Sequence, residues 1–144
     1  MGQAADVVHA KVAAFNAQDT ERFRALLDSD VELDAPGGLC RGPDQVIAYF
    51  SAFWEAFPDL RLITTRLVED GSTVLTDARS EGTHNGTLHT PGGDIPATGK
   101  RISLPYSDHY EVEGDLIVSM KLIFDRVVLL EQLGAMPAPA PAPA

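Results

Sequence analysis

From residue 101 to residue 112 the chain alternates with a period of two, and one carboxylate interrupts an otherwise apolar side. Ile102, Leu104, Tyr106, Asp108, Tyr110 and Val112 fall on one side, and Arg101, Ser103, Pro105, Ser107, His109 and Glu111 on the other. A strand projects successive side chains to opposite faces, so this period of two predicts a strand with one buried and one wet face. Asp108 stands in the middle of the buried face. An ionised carboxylate there is costly unless it is paired or hydrogen-bonded, which makes it a candidate for chemistry.

Elsewhere the pattern changes period. Val8, Val12 and Phe15 step by four and then three, predicting an amphipathic helix over residues 3–17. Asp19 or Thr20 can cap a second helix with Phe23, Leu26 and Leu27 inside, ended by Asp28-Ser29-Asp30. A short strand over 31–35 follows, then a turn at Pro36-Gly37-Gly38. Val46, Phe50, Phe53 and Phe57 step by four, three and four, with Tyr49 and Trp54 flanking the stripe. Pro43 suits the start of this third helix and Pro58 stops it. Strands are expected at 60–69 and 72–83, joined by the hairpin turn Asp70-Gly71. Residues 85–99, rich in Gly, Pro and Thr, read as a loop at a pocket rim. The strand at 101–112 turns at Glu113-Gly114-Asp115 into another at 116–124, and a short helix at 126–133 ends on Gly134.

Helices first and antiparallel strands afterwards predict an α+β fold, a curved antiparallel sheet with three N-terminal helices on its concave face. Such a cone can enclose a cavity, and Asp108 would point into it. The expected domain spans residues 1–135. Residues 136–144, which alternate Pro and Ala from Pro137 onward, are expected to stay extended and disordered.

Composition narrows the partners. The chain has 144 residues and a formal net charge of −10. That acidity argues against nucleic acid and anionic membrane surfaces, which need a cationic footprint. Cys40 is the single cysteine, so no internal disulfide can form. No signal peptide is expected from the N-terminal residues and no window is apolar enough to span a bilayer, which together predict a cytoplasmic protein. The four histidines show no metal-site spacing, and the common nucleotide and flavin motifs are missing, so neither metal nor cofactor is expected.

Several motifs carry a resemblance. They are Ala14-Phe15-Asn16-Ala17-Gln18-Asp19, Gly82-Thr83-His84-Asn85-Gly86, Pro96-Ala97-Thr98-Gly99-Lys100, and Asp108 followed by Glu113-Gly114-Asp115-Leu116-Ile117. Phe124-Asp125 and Glu131-Gln132-Leu133-Gly134 complete the set. With the element order, they make the chain resemble the SnoaL-like polyketide cyclases within the nuclear transport factor 2-like superfamily, and more distantly the ketosteroid isomerases. The resemblance covers residues 7–134 and implies a cone-shaped fold shared by isomerases, cyclases, epoxide hydrolases and non-catalytic binders. It makes Asp108 similar to the aspartic acid with which ketosteroid isomerases donate a hydrogen bond to the developing oxyanion. Asp34, before a Pro/Gly turn, resembles the isomerases' proton-shuttling base. Two positions depart from the pattern. Lys11 stands where isomerases carry the oxyanion tyrosine, and Lys121 or Leu122 stands where SnoaL cyclases carry a late acid/base aspartate. The resemblance also implies a homodimer paired across the outer face of the sheet.

The candidate catalytic residues are therefore Asp108, with Asp34 or His84 as its partner. His84 shares a strand parity with Val74 and Ala78, which places it inside. A core histidine and a turn-capping Asp34 are the alternatives. Tyr106, Tyr110, Trp54, Phe50, Phe53, Met120, Leu122 and Phe124 supply the lining expected of a pocket for a small hydrophobic ligand. The leading expectation is a cofactor-free enzyme that moves protons on a hydrophobic carbonyl compound, polyketide- or terpenoid-like, by isomerisation or aldol-type cyclisation. An epoxide-type hydrolase and a non-catalytic ligand-binding module are the alternatives.

Overall fold

The computed structural model describes residues 2–136. The Pro/Ala tail, apart from Met136, lies outside the described residues. Helix α1 (Gln3–Asn16) and helix α2 (Thr20–Ala25) come first, and Asp19 caps α2 by accepting from Arg22 N–H. Strands β1 (Leu27–Ala35) and β2 (Gly38–Arg41) precede helix α3 (Gly42–Ala56). Then follow β3 (Arg61–Asp70), β4 (Thr73–Thr83), the short pair β5 (Leu88–Thr90) and β6 (Gly93–Ile95), β7 (Arg101–Glu113), β8 (Leu116–Phe124) and α4 (Arg126–Gln132).

Six strands form one sheet in the order β2-β1-β8-β7-β4-β3. Every neighbouring pair is antiparallel except β1 with β8, which runs parallel and sets the sheet's first strand in chain order beside its last. The register shifts between Thr64 and Arg66, between Glu111 and Val112, and between Leu27 and Glu32. Bulges of this kind bend strands and increase their twist, which curves the sheet. Gly71 and Gly114 take φ near +60° at the two long hairpin turns, a conformation that a side chain disfavours.

The helices cover the inner face: α1 crosses β3, β4 and β7, α3 lies on β1 and β2, and α4 on β7. Asn16 fixes the end of α1 by a reciprocal pair, its Nδ2 donating to Leu62 O at 3.0 Å and its Oδ1 accepting from Leu62 N at 2.8 Å. The inward residues of β7 pack on Phe15, Phe50 and Phe57 in a single core.

Three local expectations change. β1 starts at Leu27, so Asp28-Ser29-Asp30 lies in a strand and does not terminate a helix; α2 is shorter, and Leu27 is buried from the strand. The Pro36-Gly37 turn leads directly into β2, which pairs Leu39 with Asp34. The segment 85–99 is not wholly loop: β5 and β6 pair Leu88 with Ile95 across a turn at Pro91-Gly92.

A buried lysine, tyrosine and aspartate in an apolar cavity

β7 alternates inward and outward along its whole length, and Asp108 arrives inside with 5% of its surface exposed. Two residues on, Tyr110 O–H donates to Asp108 Oδ2 at 2.6 Å. From the facing helix, Lys11 Nζ donates to the Tyr110 hydroxyl at 3.0 Å and lies 3.6 Å from Asp108 Oδ2. Among the described residues no donor reaches Oδ1. The carboxyl group is thus cast as acceptor by both neighbours, where the resemblance implies a donor. Aromatic rings surround the ammonium, Phe15, Phe23, Phe50 and Tyr110 having centroids 5.2–5.9 Å from Nζ. Cation–π contact of this kind recovers part of the lost hydration.

Burial lowers the Lys11 pKa from the ordinary amine value, while the charge and hydrogen bond of Asp108 pull it back up. Burial likewise raises Tyr110 well above the phenol value, reinforced by the charge of Asp108, so Tyr110 stays protonated and donates. Tyr106 is raised by the same causes.

Lys11, Ser80, Tyr106 and Asp108 are the polar residues of a cavity whose remaining walls are apolar. This inner bay is narrow, ≈ 50 Å³, and borders Phe53, Phe124 and Leu129. The same three residues border an outer vestibule of ≈ 550 Å³, bounded also by Tyr49, Arg126 and the β5–β6 hairpin. The Phe53 and Phe124 rings meet edge-on at 6.0 Å where the chambers adjoin.

Of the expected lining, Tyr106, Phe50, Phe53, Leu122 and Phe124 border the inner bay. Tyr110 reaches the site through Asp108. Met120 is buried under the sheet between Leu33 and Tyr110, away from the bay. Trp54 packs on Phe15 at 5.0 Å behind the bay, with its Nε1 buried and without a partner among the described residues.

Neither expected partner of Asp108 is next to it. Asp34 is exposed on the outer face, opposite Lys121 of β8, because it keeps the parity of Glu32 and β1 does not twist it inward. His84 is fully buried but does not border the bay. Its backbone N donates to Lys100 O, its carbonyl accepts from Thr98 and Gly99, and Thr98 N–H donates to Nδ1 at 3.2 Å. These bonds clamp the end of β4 to the segment entering β7. Desolvation lowers the His84 pKa, favouring the neutral ring.

Lys11 is the site residue that the helical pattern conceals. The inward stripe of α1 runs through Ala4, Val8, Lys11 and Phe15, with Lys11 buried at the place where Val12 was expected. Its signal in the sequence is a lysine at helical spacing among apolar residues.

A curved sheet closed by helices over an apolar cavity with one buried acid and one buried amine defines a small-molecule pocket. The chain belongs to the SnoaL-like domain family, whose model matches residues 8–120. Solved structures agree over almost the whole chain. A candidate SnoaL-like polyketide cyclase from Jannaschia sp. CCS1 superposes with a TM-score of 0.82 at 20% identity, covering 94% of each chain. IdmH, a candidate polyketide cyclase from Streptomyces antibioticus, gives 0.79 at 26% identity, covering 92% of this chain and 99% of its own. AclR, a candidate hydroxylase from Streptomyces galilaeus, gives 0.82 at 21%, covering 96% and 85%. No curated protein matches the chain. Among the described residues, no helix is long and apolar enough to cross a membrane, and no group of His, Cys, Asp and Glu could hold a metal ion.

Proposed function

We propose that this protein is an acid/base catalyst of proton transfer next to a carbonyl group, acting on a hydrophobic polyketide-like compound in an isomerisation or aldol-type cyclisation. The observation that carries the reading is the placement of Asp108, buried in an apolar bay and hydrogen-bonded on Oδ2 alone. Oδ1 is left to take a proton from the carbon beside the carbonyl. The enolate oxygen that forms needs a fixed donor in a site that excludes water, and the Lys11 ammonium and the Tyr106 hydroxyl are the groups that can reach one. The Lys11–Tyr110–Asp108 chain then returns the proton to a different atom of the substrate. The description of the Jannaschia protein and of IdmH as candidate polyketide cyclases supports the substrate class.

The narrow bay admits the reacting carbonyl, and the vestibule holds the rest of the molecule. A bicyclic ketone such as 2-tetralone tests this. In deuterated water the wild-type protein is expected to accelerate exchange of its α-hydrogens, followed by proton NMR, and Asp108→Asn to slow it by about 10²–10⁴-fold, the range for a positioned acid/base group. Exchange that is equally fast in Asp108→Asn overturns the proposal. Tight binding without any exchange by the wild type makes the protein a carrier.

A further inference from the structure

We propose that Lys11 is a nucleophile, forming an imine with the carbonyl carbon of a ketone seated in the inner bay. The inference rests on the reading of the cavity as a carbonyl site and deepens it, replacing a free enolate with an enamine held on the protein. Its ground is geometric. Lys11 borders the bay with 1% of its surface exposed, and aromatic rings enclose its ammonium. Its polar neighbours are the Tyr110 hydroxyl and the Asp108 carboxylate, both able to take part in proton transfer. An amine attacks only when neutral, and burial favours the neutral form by pushing the proton off Nζ. Lysine differs from arginine in this respect, since it loses its proton readily when desolvated and so serves as a Schiff-base residue.

The step balances without oxidant or reductant. Asp108 takes a proton from the ammonium, directly or through Tyr110. The Nζ lone pair then forms the C–N bond while the carbonyl oxygen receives that proton, giving a carbinolamine. Asp108, again a carboxylate, carries a second proton from Nζ to the same oxygen, which leaves as water as the C=N bond forms. The sum is one ketone and one amine giving one imine and one water. Loss of an α-proton to Asp108 turns the protonated imine into an enamine, the carbon nucleophile of an aldol closure.

Pentane-2,4-dione is a suitable probe, because its adduct with a primary amine rearranges to a conjugated enaminone that absorbs in the near ultraviolet. At mildly alkaline pH the full-length protein is expected to gain the mass of one diketone less one water, with the adduct mapped to the peptide carrying Lys11. The other amines are Lys100, Lys121 and the N-terminus. Lys100 and Lys121 are exposed, so Lys100→Arg/Lys121→Arg should keep the absorbance band. Lys11→Arg keeps the charge but has no primary amine, and should lose the band entirely. Adduct confined to Lys100, Lys121 or the N-terminus, or no adduct, overturns the proposal. The tetralone assay separates the two readings. Exchange without a Lys11 adduct removes the imine and leaves the acid/base reading standing. An adduct without exchange supports the imine and removes the proton-transfer reading.

Discussion

Lys11 and Asp108 leave 2% and 7% of their side-chain surfaces to solvent, so their pairing is a low-dielectric one and not a surface ion pair. Removing one partner strands the other. Lys11→Met should cost about 3–5 kcal/mol of unfolding free energy, the usual penalty for an uncompensated buried charge. Lys11→Met/Asp108→Leu, which removes both charges, should recover most of it; urea titrations of the single and double variants check the difference. The pH dependence follows from the direction of the Lys11 shift. Its pKa is lowered in the folded state from 10.5. Between that lowered value and 10.5 the unfolded chain binds the extra proton, so this group's contribution to stability grows as pH rises through the window and is lost as pH falls below it. Tyr110 acts in the opposite sense above 10.0, where the unfolded phenol ionises and the buried one does not. Below pH 10.0 the melting temperature should therefore climb more steeply with pH in the wild type than in Lys11→Met. Equal slopes would mean that Lys11 keeps its full proton affinity when buried.

Two contacts govern the elements that border the site. Gly86 passes so close to the end of α3 that an added Cβ would lie 2.9 Å from the Glu55 carbonyl carbon and closer still to its oxygen, and Gly86 N–H donates to Ala56 O at 3.1 Å. Both obstacles are backbone and cannot swing aside. Gly86→Ala should destabilise by about 3 kcal/mol, at the upper end for an overpacked site, read as a fall in melting temperature. The β5–β6 hairpin is held differently. His89 Nδ1 faces Asp94 Oδ1 at 2.8 Å within the hairpin, and Nε2 faces Glu55 Oε1 of α3 at 3.2 Å. The hydrogen bonds to Asp94 and then Glu55 raise the His89 pKa above 6.5. The raised value means that the latch is fully present below 6.5 and is lost as pH rises through the folded-state pKa. Hydrogen exchange of the 88–95 amides, corrected for its intrinsic pH dependence, should accelerate across that range in the wild type. His89→Gln should show no such step. The hairpin was not legible in the sequence, because three-residue strands are too short to show a period and exist through a tight turn and contacts to α3. The early start of β1 was hidden for a related reason, as Asp28-Ser29-Asp30 reads as a breaker until Leu27, just before it, is known to pair with Ile117 of β8. The long β7 strand was legible because alternation over a dozen positions has one reading. Asp108 followed from it, whereas Lys11 depended on which turn of α1 faces the sheet.

At the scale of the whole molecule, the apolar side chains left in water are unevenly placed. Leu39, Ile63, Val68, Leu75 and Ile123 are all more than a third exposed. Strand register puts all five on the outer face of the sheet, with Ile123 opposite Ser107, Leu75 opposite His109 and both Val68 and Leu75 in one pair. A second copy of the chain is the proposed cover, since a two-fold axis lets one patch serve both partners. A stable pair needs about 800 Å² from each protomer, roughly a tenth of a small protein's surface, here set against 7686 Å². Charge opposes the pairing, because each chain carries −10, and that repulsion makes the interface recognisable. If burial of these side chains drives association, added salt should screen the repulsion and tighten the dimer. If ion pairs such as Asp34 with Lys121 of the other copy drive it, salt should loosen it. Sedimentation equilibrium of the wild type should show a concentration-dependent dimer that strengthens with sodium chloride. Leu75→Arg/Ile123→Lys should be monomeric at every concentration, with the tetralone exchange unchanged because neither residue borders the cavity. A wild type that stays monomeric throughout would leave the outer face without a second copy to cover it.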